Sequence, residues 1–185
     1  SCRNPETAFG TIEEDCMRRD LTINALYTNI STGKIVDITG KGIADIKNHI
    51  IRTPNAPDII YDDDPLRILR CIRFASRYGW DIEPDTYEGM VRNVSRLEII
   101  TKERVQDEFC KMLTCKNPVV AMELLRKTGA MHYVIPELEE TYFMTQNEYY
   151  FGTVWEHTMA VLEGIKDDDL TLRLSALLHD IGKVR

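Results

Sequence analysis

The clearest pattern of apolar and polar positions lies between residues 65 and 77. Apolar side chains fill one side of the helical wheel, while the other side carries Arg67, Arg70, Arg73 and Arg77 within an arc of roughly 120°. Pro65 suits the first helical position, which puts Asp64 at the N-cap and the acidic run 62–64 at the positive end of the helix dipole. The pattern predicts an amphipathic helix with an arginine face.

Upstream of this helix the pattern is mixed. The run 21–27 is too short for its period to separate helix from strand. Turn residues at 29–33 and the apolar segment 34–38 predict a β-hairpin around residues 25–38. Segments 43–48 and 50–52 predict a short helix and a returning strand. This part of the chain is too small to form a stable core by itself.

Downstream of the arginine face every segment has a helical pattern. One helix is predicted from Asp85, as its cap, to Val94, and another begins at Thr101. A third starts at Asn117–Pro118, runs to about residue 126 and is followed by a C-terminal glycine, Gly129. Two more are predicted over residues 154–165 and 170–183. The predicted fold class is mostly α, with a small α+β part followed by a helical bundle and the start of a further helical domain.

Composition narrows the functional classes. The chain is 43% hydrophobic and 29% charged, which is typical of a globular protein. A net charge of −7 argues against bulk electrostatic capture of nucleic acid, so such binding needs local basic patches. Five cysteines without a Cys-x-x-Cys pair indicate a reducing compartment, and no apolar run approaches the roughly 18 residues of a membrane span. We therefore expect a cytoplasmic protein, and the opening without Met leads us to expect a fragment.

Asp64 and Arg67 are candidates for reading a nucleobase. They lie one helical turn apart, so their side chains can point the same way. A carboxylate accepts from an exocyclic amino group and a guanidinium donates to a ring acceptor, an order of groups that suits cytosine and adenine but not guanine or uracil. Arg70 and Arg73 would remain for phosphates. The alternative is a solvated basic face behind a well-formed helix cap.

Three polar residues near the hairpin and two on the helix that begins at Thr101 form further candidate groups. Arg19 and Asp20, with Asn24 four residues later, offer donors and acceptors suited to a ribose and a triphosphate, although a surface ion-pair network is the alternative. Nothing in the spacing of Asp20 and Asp37 marks a metal pair. Glu103 and Arg104 could brace the arginine helix, or form an ordinary surface network.

A histidine and an adjacent His-Asp pair form a candidate metal site near the end of the chain. They are His157, His179 and Asp180, on two successive predicted helices. The set needs another carboxylate to complete a coordination shell, and histidines buried for structural reasons are the alternative for each position.

The chain resembles the bacterial tRNA nucleotidyltransferases, or CCA-adding enzymes, a family that includes the bacterial poly(A) polymerases. Residues 18–26, Arg-Arg-Asp-Leu-Thr-Ile-Asn-Ala-Leu, are similar to the family's second motif. Residues 63–70, Asp-Asp-Pro-Leu-Arg-Ile-Leu-Arg, resemble the Glu-Asp-x-x-Arg element that selects CTP or ATP, and residues 101–109 resemble the neck helix that supports it. Residues 157 and 178–183 resemble the opening of an HD domain. The motifs occur in the expected order from about residue 11 to residue 183.

This resemblance implies a role for each matched residue. Arg19 would contact phosphate, Asp20 and Asn24 would lie near the ribose, and Arg70 and Arg73 would hold the triphosphate. Asp64 and Arg67 would read the base, with Asp63, in place of the usual Glu, and Glu103 and Arg104 in support. The family's Gly-Ser-x-x-x-Asp-x-Asp motif does not occur here. We therefore expect the Asp pair that binds Mg²⁺ upstream of Ser1, and no catalysis by this chain alone.

The resemblance also implies an organisation and a function. Residues 1–60 would end the nucleotidyltransferase head, residues 61–139 would form the neck, and residues 140–185 would begin the HD domain. The intact enzyme would transfer CMP and AMP from CTP and ATP to the 3′ end of tRNA. Poly(A) polymerase and enzymes that add only CC or only A are alternatives within the family. An HD-type metal-dependent phosphohydrolase and a non-catalytic tRNA-binding module are alternatives of another class.

Overall fold

A computed structural model of the chain describes residues 10–145 and 152–184. Its α-helices and β-strands, in chain order, are α1 Ile12–Met17, β1 Leu26–Thr28, β2 Ile35–Asp37, α2 Gly42–Asn48, β3 Ile50–Ile51, α3 Pro57–Asp63, α4 Leu66–Tyr78, β4 Asp81–Ile82, α5 Pro84–Asn93, α6 Lys102–Leu113, α7 Pro118–Thr128, α8 Met131–Val134, α9 Val154–Gly164 and α10 Leu170–Leu178. Short 3-10 helices cover Thr22–Asn24, Val94–Ile99, Pro136–Tyr142 and Ile181–Val184. The fold is mostly helical, as predicted.

The predicted β-hairpin is confirmed, with β1 antiparallel to β2 and Leu26 opposite Asp37. The undecided run 21–27 contains a 3-10 turn and the first two residues of β1. The second strand pair is parallel, with Ile50 of β3 opposite Asp81 of β4. Since β4 follows the arginine helix in sequence, this pairing ties the first part of the chain to the start of the helical bundle.

Helix α3 was not expected from the sequence, because the acidic residues at its end were assigned to the start of the next helix. It buries Pro57, Ile60 and Tyr61 and packs against α5. The closest approach is at Gly89, where an added Cβ would lie 2.3 Å from the Pro57 Cβ. That distance is far below van der Waals contact, so the two helices can approach this closely only because residue 89 has no side chain.

The amphipathic helix α4 is confirmed, and its apolar side is fully buried at Ile68, Leu69 and Ile72. Its cap differs from the prediction by one residue. Pro65 is the N-cap and already has helical angles, whereas Asp64 is extended, with φ −150° and ψ 102°. The Asp64 carboxylate nevertheless accepts a hydrogen bond from the Leu66 N–H at 3.1 Å, so it satisfies one of the donors at the helix start. Helix α4 packs on α6 and α7 at the centre of the bundle.

Two further helix ends differ from the predictions. Helix α5 is capped by Glu83 rather than Asp85, because the longer Glu83 carboxylate reaches the Thr86 N–H at 2.8 Å. The last predicted helix ends at Leu178 rather than at Lys183, and a turn and a 3-10 segment follow it. Gly129 ends α7 with φ 79°, as predicted.

Arg173 joins α10 to the end of α6. Only 4% of the residue is exposed, and its Nη1 donates to the carbonyl oxygens of Leu113 at 2.5 Å and Cys115 at 2.7 Å, while Nε donates to Asp167 O at 2.7 Å. The carbonyls at the C-terminus of α6 carry partial negative charge, so they stabilise a buried cation there. None of the helices formed by residues 10–145 and 152–184 is long and apolar enough to cross a membrane.

Candidate functional site

Arg67 is fixed by the helix that precedes it. Its Nη2 lies 2.9 Å from Asp63 Oδ2, and its Nη1 donates to the Ile60 carbonyl at 3.3 Å. Only 17% of the side chain is exposed, so the guanidinium packs against the protein and does not extend into solvent. A guanidinium has five N–H donors, and these two contacts leave three of them for a ligand.

Asp64 is fixed from the other side, by α6. Arg104 Nη2 lies 2.7 Å from Asp64 Oδ2, while Oδ1 accepts the Leu66 N–H. The structure therefore does not join Asp64 to Arg67 through their side chains; each has its own support. Every carboxylate oxygen has a second lone pair, so Asp64 can still accept from a ligand amino group.

The supporting residues expected from the sequence fall into two groups. Asp63 and Arg104 hold Arg67 and Asp64 as described, and Asp63 also lies 3.9 Å from Arg18, which follows α1. Glu103 is exposed in the first turn of α6, and the acid that α6 directs at the arginine face is Glu108 instead.

Glu108 was missed at the sequence level. It is buried, with Oε2 2.6 Å from Arg73 Nε and Oε1 3.9 Å from Arg70 Nη1. Its position four residues after Arg104 puts both on one face of α6, and that spacing was the available signal. Arg73, whose side chain is 11% exposed, is thus bound to a buried acid and stacks over Phe74 at 4.4 Å from the ring centroid.

Asp20, Asn24 and Arg70 form one network between the first part of the chain and α4. Asp20 is 9% exposed; its Oδ1 accepts from the Leu21 N–H at 2.9 Å and from Asn24 Nδ2 at 3.1 Å. Its Oδ2 accepts from Arg70 Nε at 2.8 Å. The structure brings these three predicted residues together, and Arg70 is 34% exposed, so part of its guanidinium can contact a ligand.

Arg19 lies outside this network. It is 43% exposed and pairs with Asp15 at 2.7 Å, over the ring of Tyr27. The hydrogen bond that Tyr27 donates to Asp15 raises the pKa of Tyr27 to about 12 and lowers that of Asp15. Asp37 has a local structural role. Its carboxylate accepts a hydrogen bond from the Ile43 N–H at 2.9 Å and closes the turn before α2.

An open cleft of about 1180 Å³ runs between α1 and α3, with Arg67 on its wall. The charged side chains that line it are Glu14, Asp15, Arg18, Asp62, Asp63 and Arg67. Because carboxylates outnumber guanidiniums, the cleft favours an amino-bearing base edge over a phosphate group. The cleft and the helix start therefore suit the base end of a nucleotide.

The histidines and the acid predicted as metal ligands do come together. Candidate ligand atoms of His157, His179 and Asp180 all lie within 4.8 Å of one another. These three described side chains could therefore hold one metal ion. His179 Nε2 lies 3.3 Å from both His157 Nε2 and Asp180 Oδ2. His179 Nδ1 contacts the Ala176 carbonyl at 2.7 Å and must donate there, so Nε2 is the ring nitrogen that could bind a metal.

The surroundings of Asp180 favour the charged form of its carboxyl group. Burial by itself raises the pKa of Asp180, but the hydrogen bond from Lys183 at 2.7 Å and the neighbouring histidines hold it below its usual value. A carboxylate and two imidazole nitrogens are a donor set that suits a divalent transition metal.

Comparison with known proteins identifies the family. Residues 1–52 match the family model described as the poly A polymerase head domain, and residues 79–141 match the one described as the probable RNA and SrmB-binding site of polymerase A. The chain is 39% identical over 181 residues to the multifunctional CCA protein of Neisseria gonorrhoeae, an alignment that covers 95% of this chain and 43% of the relative. This chain belongs to the tRNA nucleotidyltransferase and poly(A) polymerase family. It spans less than half the length of that relative.

Further relatives and solved structures agree with this family. The mitochondrial CCA tRNA nucleotidyltransferase of Saccharomyces cerevisiae is 42% identical over 128 residues, 68% of this chain and 23% of that protein. A tRNA nucleotidyltransferase complexed with a primer tRNA and an incoming ATP analog superposes with a TM-score of 0.73 at 25% identity, covering 95% of this chain and 52% of the other. The CCA-adding enzyme of Bacillus stearothermophilus in complex with CTP gives 0.67 at 26%, covering 96% and 47%. The chain thus has the same fold as about half of each of these two enzymes.

Proposed function

We propose that the protein to which this chain belongs adds C and A to the 3′ end of tRNA, with Asp64 and Arg67 selecting the base. It would transfer CMP and AMP from CTP and ATP and release pyrophosphate. The observation that carries the proposal is the separate support of the two selecting side chains, Arg67 by Asp63 at 2.9 Å and Asp64 by Arg104 at 2.7 Å. Two side chains held independently keep a fixed spacing, which base selection needs.

The chemistry of selection follows from donors and acceptors. Asp64 accepts from the exocyclic amino group of cytosine or adenine, and Arg67 donates to the ring acceptor beside it. Guanine and uracil place a carbonyl where the amino group is needed, which would face the Asp64 carboxylate and leave its lone pairs unmatched. Both nucleotides are therefore read by the same two side chains.

The remaining predicted residues are assigned to the rest of the nucleotide. We assign Arg19, Arg70 and Arg73 to phosphates, and Asp20 and Asn24 to the ribose. Arg70 and Arg73 are bound to Asp20 and Glu108 in this structure, so phosphate contact would use the donors that these acids leave unused. In this assignment residues 1–60 end the head, 61–139 form the neck and 140–185 begin the HD domain.

Nucleotidyltransferases of this kind generally use a divalent metal. The carboxylates nearest the selecting residues do not fit that role, because Asp20, Asp63 and Asp64 are each paired with an arginine. The Mg²⁺-binding acids therefore stay assigned to a part of the protein other than residues 10–145 and 152–184. The contribution of this chain is to bind, orient and select the nucleotide.

The test is nucleotide incorporation by the full-length protein. We expect CMP addition to a tRNA that lacks its terminal CCA, and AMP addition to a tRNA that ends in CC, each dependent on Mg²⁺. Incorporation of A alone, repeated on any RNA end, would support a poly(A) polymerase instead, and addition of only CC or only A would support the narrower enzymes of the family. Binding of tRNA without any incorporation would support the non-catalytic module.

A second candidate activity rests on the trio of His157, His179 and Asp180. A divalent metal bound there would activate a water molecule for phosphate-ester hydrolysis, the reaction of HD-type phosphohydrolases. The ligand atoms lie within 4.8 Å of one another, which fits one metal ion. We expect added Mn²⁺ or Ni²⁺ to raise the melting temperature of the protein, and His179→Asn to abolish that rise. An unchanged melting temperature would count against the metal site, and metal binding without phosphatase activity would count against the hydrolase.

We also propose a cytoplasmic location. The described cysteines, Cys16, Cys71, Cys110 and Cys115, are all free thiols. Unpaired thiols suit a compartment in which glutathione and thioredoxin keep cysteine reduced. Fractionation of cells followed by detection of the protein would test this location.

A further inference from the structure

An aromatic column stands at the C-terminal end of α4, away from the selecting residues. The rings of Phe74 and Tyr78 stack with centroids 5.9 Å apart, Tyr78 and Trp80 lie 5.0 Å apart, and Trp80 stacks on His49 at 5.0 Å with an interplanar angle of 17°. The four rings come from two separate parts of the chain. Phe74 also lies against the Arg73 guanidinium, whereas the other three rings are not among the residues assigned to the nucleotide.

The column is open to solvent and has cations beside it. Tyr78 is 44% exposed and His49 at the far end is exposed, so ring surface is available for a ligand. The Arg77 guanidinium lies 5.8 Å from the Tyr78 ring centroid, and Arg77 is itself exposed. Stacked aromatic rings with a neighbouring guanidinium are the pattern by which proteins bind unpaired nucleic-acid bases and their phosphates.

His49 occupies its place in the column at a conformational cost. It has φ 58° and ψ 48°, the left-handed region that residues other than glycine adopt with difficulty. This backbone conformation ends α2 and directs the chain into β3, and it sets the imidazole parallel to Trp80. The column therefore combines a helix end with a strand pair, β3 with β4, that holds its two halves together.

The position of the column relative to Arg67 suits a strand of RNA. Residues 67 and 78 are eleven positions apart on α4, or about 16 Å at 1.5 Å per residue. At about 3.4 Å per stacked nucleotide, that distance corresponds to roughly five nucleotides. Trp80 also lies at the start of the segment, 79–141, that matches the model of a probable RNA-binding site.

We propose that His49, Tyr78, Trp80 and Arg77 form a binding surface for unpaired RNA, on which a base continues the aromatic stack and Arg77 contacts a phosphate. This inference rests on the proposed function for the identity of its partner. The surface would hold a single-stranded part of the RNA substrate while its 3′ end lies near the selecting residues. The affinity for single-stranded RNA should therefore depend on the aromatic rings, and the affinity for any RNA should depend on the charge of Arg77.

The test compares a short single-stranded RNA with a duplex RNA of the same length, by fluorescence anisotropy with the full-length protein. We expect Tyr78→Leu to weaken single-strand binding by about fivefold or more and to leave duplex binding unchanged, because only unpaired bases can stack on the ring. Tyr78→Phe keeps the ring and should restore the affinity. Arg77→Gln should weaken both RNAs and reduce the salt slope by about one.

Two further variants keep the test interpretable. His49→Asn removes the ring at the other end of the column, and asparagine tolerates the left-handed backbone, so this variant should also lose single-strand affinity without losing the fold. Phe143→Leu removes an aromatic ring that is 89% exposed and lies outside the column, and should have no effect. Melting temperatures establish that each variant is folded.

The outcomes separate this inference from the proposed function. Wild-type affinity in both Tyr78→Leu and His49→Asn, or equal losses on single-stranded and duplex RNA, would overturn the stacking surface. Nucleotide addition by the unmodified protein is measured in parallel. Addition without any effect of Tyr78→Leu rejects the surface alone, whereas ring-dependent RNA binding without addition rejects the proposed enzyme and leaves the surface standing.

Discussion

Arg70 on α4 donates from Nε at 2.8 Å to a single carboxylate oxygen of Asp20, and its Nη2 lies 2.6 Å from the same oxygen. The two residues are fifty positions apart in the chain. Asp20 is almost completely buried, so its charge is compensated by a guanidinium that belongs to a different part of the fold. The pair links the segment that precedes the hairpin to the central helix of the bundle.

This pair predicts an asymmetric result in a double-mutant cycle. Arg70→Met leaves a buried carboxylate without its cation and should lower the free energy of unfolding by about 2–3 kcal/mol. Asp20→Asn combined with Arg70→Met removes the uncompensated charge and should recover part of that loss. Urea unfolding measures both. Equal stability of the single and the double variant would contradict the coupling.

Arg67→Ala should impair incorporation of CMP and AMP together in the full-length protein. In the proposed function its guanidinium donates to both bases, so the kcat/KM values for CTP and ATP should fall by similar factors, about tenfold or more for the loss of a charged hydrogen bond. Arg67→Lys keeps the charge but not the planar fork, and should recover little. Arg126→Ala, whose guanidinium pairs with Glu123 within α7, is the matched control. Loss of one nucleotide with the other untouched would rule out a shared selector.

Arg173→Met should destabilise the protein by about 2–4 kcal/mol. The variant leaves the carbonyls of Leu113, Cys115 and Asp167 without the donor that satisfies them in the structure. Arg173→Lys restores a charge but cannot reach all three oxygens, so it should recover only part of the loss. Thermal or urea unfolding, with the more exposed Arg126→Met as control, measures the difference. Stability equal to that of the control would show that the carbonyls find water instead.

Stability should fall as the solution becomes acidic, from about pH 4 downward. Burial by itself raises the pKa values of Asp37 and Glu83, but hydrogen bonds from Ile43 N–H and Thr39 to Asp37, and from Thr86 to Glu83, hold both below their usual values. A depressed pKa in the folded state stabilises the protein above the unfolded-state value, roughly 4, and that contribution disappears as pH falls through the folded-state value.

Asp37→Asn tests this pH dependence. The variant should be less stable than the parent at pH 7 and should lose less stability between pH 5 and pH 3, as measured by urea unfolding at each pH. Asp168→Asn, an exposed acid between α9 and α10, serves as control. A parallel acid profile for Asp37→Asn and the parent would exclude Asp37 as a source of the effect.

Local signals in the sequence predicted the elements that they control. The arginine face of α4, the hairpin over residues 25–38 and the end of α7 at Gly129 each depend on residues close together in the chain. Helix α3 could not be found in this way, because its acidic end resembled the start of the next helix and its stability comes from packing against α5. The cap of α5 was misplaced by two residues, since both Glu83 and Asp85 have carboxylates at a helix start.

The candidate site was predicted as a set of residues but not as a set of pairs. The sequence indicated that Asp64 and Arg67 could face the same way, and the structure supports each from a different helix. Arg70 with Asp20, and Arg73 with Glu108, join positions that are 50 and 35 residues apart. Such pairs depend on how helices pack, and a single sequence carries no record of that packing. The roles of these residues toward a nucleotide stay predictions.

The close approach of Gly89 to Pro57 makes the proposed nucleotide site depend on a residue of the neighbouring helix α5. Pro57 begins α3, and α3 ends at Asp63, beside Asp64 and Arg67. Any side chain at position 89 must push α3 outward, and the selecting residues would move with it. A deep mutational scan scored by nucleotide addition should therefore rank position 89 with the selecting residues themselves, and inherited changes there would alter substrate fidelity as well as folding.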